Sequence, residues 1–97
     1  MEVRVTKRAQ SQINRAAQWW DQNRQLAPKA FDEELAGAFS LLSLEPGIGP
    51  PVSNARTQGV RRLHLARIRY HLYYRVRRGK VEVLSIWHTS RGTGPAI

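Results

Sequence analysis

Arg69, His71, Tyr73 and Arg75 stand at every second position of IRYHLYYRVRRG, residues 68 to 79, and Arg62 and His64 share that phase in the preceding VRRLHLA. Arginine can hold the charge that develops on phosphoryl oxygens, and histidine or tyrosine can move the proton of a 2′-hydroxyl. The set therefore has the composition of an RNA-cleaving site. A solvated basic face or a grip on an acidic partner has the same composition, and residue types alone favour these plainer readings over a reaction.

A second constellation, His88 and Arg91 in SIWHTSRG, follows the last apolar run. The only acid in this half of the chain, Glu82, is six residues before His88. Three histidines without an HxH or HExxH pattern give no metal signature. The absence of cysteine excludes disulfides, thiolate sites and a cysteine nucleophile. A serine triad has no more support. Gly47 and Gly49 in EPGIGPP lack both the Walker lysine and GxGxxG spacing, so that stretch reads as a connector. Trp19, Trp20 and Trp87 read as core or interface residues.

Alternation predicts the elements that carry these groups. Ile68, Tyr70, Leu72, Tyr74 and Val76 form an apolar set opposite the basic one, as in a strand with one face on a core. Strands are predicted over 60–66, 68–77 and 81–87, with Arg78 and Gly79 forming a tight turn between the last two. In the last strand Val81, Val83 and Trp87 oppose Leu84 and Ile86. Both sides are apolar, which predicts an interior position. The same alternation puts Glu82 in phase with His88.

EVRV, residues 2 to 5, predicts a short first strand, and Thr6 an N-cap for a helix over 7–23 with Ala9, Ile13, Ala16, Ala17 and Trp20 on its inner stripe. A link of about four residues leads to a second helix opening at Pro28. Its stripe is Phe31, Leu35, Ala38, Phe39 and Leu42, and Pro46 ends it. The tail RGTGPAI offers little regular structure. The order β-α-α-β-β-β predicts one α+β domain over residues 1–97, with a helical hairpin on a small, mainly antiparallel four-stranded sheet whose basic face stays open.

Ninety-seven residues are too few to divide into two cores. The net charge of +9 is unevenly placed: six acids balance six bases up to Glu45, whereas Glu82 alone faces ten Arg and Lys residues beyond it. Such asymmetry predicts nucleic acid or an acidic protein as partner. The first twenty residues contain no apolar run of signal-peptide length, and no stretch is long enough to cross a bilayer, so a soluble cytoplasmic protein is expected.

With this order in place, VRRLHLARIRYHLYYRVRRGKVEVLSIWHTSRG, residues 60 to 92, closely resembles the RelE/ParE superfamily of bacterial toxins from type II toxin–antitoxin modules. The most specific part is the ending W-H-x-x-R, here Trp87, His88 and Arg91, together with the RRLHL strand. RelE-like members are ribosome-dependent ribonucleases that commonly carry arginine where this chain has His71 before Leu72, Tyr73 and Tyr74. They often add a catalytic tyrosine beyond the last strand, and none follows Trp87 here. The wording is closer to the ParE branch.

That resemblance implies a plasmid-stabilisation type of growth inhibitor that binds DNA gyrase. A cognate acidic antitoxin would neutralise it in a hetero-oligomer, with no cofactor or metal. Arg61, Arg62, His64, Arg69, His71, Tyr73, Arg75, His88 and Arg91 are the expected target or antitoxin contacts. The alternative is an mRNA endoribonuclease acting on the ribosome with Arg62, Arg69, His71, Arg75, His88 and Arg91 as its catalytic groups. A second alternative is an inactive or non-toxic binding module of the same fold.

Overall fold

The computed structural model describes residues 1–92 and 94–97; Thr93, in the tail expected to lack regular structure, lies outside the described residues. The elements in chain order are β1 (Val3–Val5), α1 (Lys7–Asn23), α2 (Ala30–Leu44), β2 (Arg61–Leu65), β3 (Tyr70–Arg77) and β4 (Lys80–His88). They form a helical hairpin on a four-stranded sheet of order β1-β4-β3-β2. β1 runs parallel to β4, and the other pairs are antiparallel. The α+β architecture is the one expected.

Thr6 starts α1: its hydroxyl accepts the Ala9 amide proton at 3.2 Å, satisfying one of the donors that a helix start leaves unpaired. Ala9, Ile13, Ala16 and Trp20 are buried along one face, and Ala30, Phe31, Leu35, Ala38 and Leu42 are their counterparts on α2. The link between the helices spans six residues, since α2 opens at Ala30 and Pro28 lies in the turn before it. Trp20 ties this hairpin together by donating its indole N–H to the Ala27 carbonyl at 2.8 Å. Phe31 packs between Trp20 and Tyr70, with ring centroids 6.2 Å and 5.9 Å away.

Against the helices the sheet presents Leu65, Leu72, Tyr74, Val81, Val83 and Ile86, all buried in one cluster with the helix stripes. Leu72 and Tyr74 are inward as the alternation predicts, but Val76 is 46% exposed. Gly49 is required by close approach. A Cβ there would lie 2.8 Å from the Arg62 carbonyl oxygen and 2.9 Å from the Tyr74 hydroxyl, which accepts the Gly49 amide proton.

The last two strands depart from simple alternation. Tyr73 pairs with Ser85 but Tyr74 pairs with Val83, so Leu84 is an extra residue and β4 carries a bulge. Beyond the bulge the phase of β4 reverses. Ile86 and His88 lie opposite Leu72 and Tyr70 on the helix side, while Glu82, before the bulge, lies opposite Arg75 on the other face. The expected common phase of Glu82 and His88 is therefore wrong. α1 completes the irregular edge: the Gln12 side-chain oxygen accepts from the Ile86 amide at 3.0 Å and from the Ser85 hydroxyl at 2.9 Å.

Candidate functional site

β2 and β3 position the first set of groups. Their register places His64 opposite His71 and Arg62 opposite Tyr73. The two imidazole centroids are 5.1 Å apart, and the Tyr73 ring is 6.4 Å from that of His71. Burial, then the Arg62 guanidinium and the His64 ring, lower the affinity of His71 for a proton below its ordinary value. His71 is thus neutral at physiological pH and able to accept a proton.

The remaining members of the expected cluster are committed or displaced. Arg75 donates from Nε to a Glu82 carboxylate oxygen at 2.8 Å, an ion pair partly shielded from solvent. Tyr73 is buried: the tail lies over it, so that a Cβ at Gly94 would come within 3.1 Å of its hydroxyl. Tail carbonyls are held by Arg8, whose guanidinium donates to Ala96, and by the Arg56 and Thr57 amides, which donate to Ile97. Arg61 donates to the Gly47 and Gly49 carbonyls at 3.2 and 2.7 Å and serves the connector. Arg69 is not part of a strand. It adopts a left-handed φ of 61° in the turn between β2 and β3, and its carbonyl accepts the Thr89 amide proton.

His88 and Arg91 join neither His71 nor Arg62. The bulge turns His88 to the helix side, where its ring stands edge-on to Tyr70 at 5.1 Å. The Ser90 amide donates to His88 Nδ1 at 3.2 Å, and because an amide can only donate, the ring proton of neutral His88 resides on Nε2. Arg91 stacks on Trp87 at 3.8 Å and accepts the Trp87 indole proton at its carbonyl. These groups, with Arg15 and Trp19 of α1, line a cleft of about 380 Å³. A second cleft of similar volume, toward the tip of the helical hairpin, shares Trp19, Tyr70 and His88. Tyr70 keeps its proton to higher pH than an ordinary phenol because burial outweighs the opposing effect of Arg91.

The expected cluster therefore forms two sites. One is a pair of histidines beside Arg62, His64 exposed and His71 partly buried, on the sheet face that the tail crosses at Tyr73. The other is a donor-rich, aromatic cleft between α1 and the end of β4. Sequence reading missed Arg15, Trp19 and Tyr70 as members of the second. The i, i+4 spacing of Arg15 and Trp19 on one side of α1 is a signal that could have found two of them. Among the described residues no three His, Cys, Asp or Glu side chains converge as metal ligands. No helix among them is long and apolar enough to cross a membrane.

The helical hairpin on a β1-β4-β3-β2 sheet, with arginine-lined clefts beside α1, is an α+β fold with one layer of helices on one sheet. Residues 3–92 match the family described as ParE toxin of the type II toxin–antitoxin system parDE, and the chain belongs to that family. Among solved structures, one described as the chromosomal ParDE TA system from P. aeruginosa superposes with a TM-score of 0.74 at 21% identity. The alignment covers 93% of this chain and 97% of the other. No curated protein matches the chain significantly.

Proposed function

We propose that this chain acts by binding DNA gyrase and blocking it, without cutting RNA, and that a cognate acidic antitoxin silences it in a hetero-oligomer. The observation that carries this reading is the dispersal of the nuclease set. Arg75 is held by Glu82, Arg69 is at a turn, and His88 and Arg91 are on the helix side. His71 feels Arg62 and His64, both of which disfavour its protonated form. A phosphodiester transition state needs donors and a proton acceptor converging on one group, and an undivided set would have been worth several orders of magnitude in rate.

Family membership supports the antitoxin, and so does the surface. The clefts beside α1 are lined by arginines, of which Arg67 also reaches Glu33 at 3.4 Å, and Leu26 in the link between the helices is exposed. An acidic chain that folds as it binds would gain both steering and apolar burial there.

A paired assay tests the activity: gyrase supercoiling, and mRNA cleavage on programmed ribosomes, each with wild type and with His71→Ala. Supercoiling is expected to be inhibited, with no A-site cleavage from either protein. Cleavage by wild type that disappears with His71→Ala would establish the ribonuclease instead. Loss of a true catalytic group costs a hundredfold or more, whereas one residue of a binding face costs far less.

A further inference from the structure

The turn between β3 and β4 is built at a local cost that the fold itself does not require. Arg78 adopts a left-handed φ of 53° followed by Gly79 at 73°, the pattern of a two-residue hairpin turn in which Asn, Asp or Gly at the first position is the low-strain choice. Arg77 and Lys80 stand directly opposite each other across the strands, and like charges in that relation repel. Arg4 on the adjoining β1 adds a fourth cation, and together these groups line a hollow of about 390 Å³. Its one lining acid, Glu82, is engaged by Arg75, and Glu2 is a well-exposed partner at 3.6 Å from Lys80 and 3.8 Å from Arg4.

We infer that this hairpin tip is a contact surface for the phosphodiester backbone of a nucleic acid duplex. The hollow has no aromatic or aliphatic lining residue. A protein partner would need an apolar centre to bury, and a single strand would need a ring on which to stack a base. Phosphates of a duplex need neither, because cation contact and counterion release supply the attraction.

The test is fluorescence anisotropy of the full chain with a labelled duplex of arbitrary sequence, in DNA and RNA forms, across a sodium chloride series. Arg77→Gln, Arg78→Asn and Lys80→Gln are combined in one variant. A control removes the same charge elsewhere through Lys7→Gln, Lys29→Gln and Arg56→Gln. Each lost phosphate contact lowers the slope of log affinity against log salt by about 0.9 for B-DNA, so the tip variant is expected to lose two to three units of slope. It should also bind at least about tenfold more weakly at low salt, with the control within about threefold of wild type. Equal losses in both variants would reduce the effect to net charge and overturn the inference, and so would no duplex binding by wild type. Arg78→Asn relieves the turn, so unchanged or raised thermal stability of the tip variant is expected. In a titration of wild type with duplex, the Gly79 and Lys80 amides should shift first. Binding with shifts confined to the clefts beside α1 would place the contact elsewhere and reject the tip.

Discussion

At His71, burial and the neighbouring Arg62 and His64 act in the same direction, favouring the neutral ring. The unfolded chain takes up a proton near the ordinary histidine value of about 6.5, while the folded chain waits for a lower pH. Over that interval the unfolded state binds more protons, so stability falls as pH drops through the unfolded value and levels off below the folded one. Replacing His71 with Gln should remove this share of the acid sensitivity. Urea midpoints at pH 7.5, 6 and 5 check it: wild type should lose more between the first and last than His71→Gln does. Parallel pH dependences would show that the imidazole does not feel Arg62 and His64 as described.

The elements show where local pattern is sufficient and where it is not. α1 spans Lys7–Asn23 and is capped by Thr6, as its stripe and the threonine predict, because both signals are local. The Arg78–Gly79 turn was equally legible. The bulge at Leu84 was not: VEVLSIW is apolar in both phases, so a one-residue insertion leaves no mark on the pattern, yet it moves His88 across the sheet. The turn at residues 66–69 was hidden for the related reason that Ile68 is buried as an inward strand residue would be. Gln12 is the tertiary group that ties α1 to the bulged strand, by accepting the Ile86 amide proton. Gln12→Ala leaves that donor and the Ser85 hydroxyl with less, and should cost about 1–3 kcal/mol. Chemical denaturation measures the loss, and hydrogen exchange at the Ile86 amide should quicken more than exchange at Leu72. An unchanged Ile86 amide would mean that α1 does not hold the edge.

Charge acts on the scale of the whole molecule. Net +9 with an almost acid-free C-terminal half produces a field that extends beyond any one contact, and the hairpin tip shares no residue with the two adjoining basic clefts. Fields of this kind act mainly on encounter: association rates rise with opposite charge and fall steeply as salt screens it, whereas dissociation is governed by the short-range contacts formed after docking. With the proposed acidic antitoxin, the association rate should therefore fall by about tenfold or more between low salt and about 0.5 M sodium chloride, with a much smaller change in dissociation. Stopped-flow mixing with the labelled antitoxin, followed by displacement with unlabelled antitoxin, separates the two rates. Arg15→Gln in the cleft beside α1 should quicken dissociation, because its guanidinium would be in contact with the bound chain. Lys29→Gln, exposed before α2, should slow association slightly and leave dissociation unchanged. If salt acted chiefly on dissociation, or the two substitutions behaved alike, the antitoxin would dock somewhere other than the clefts.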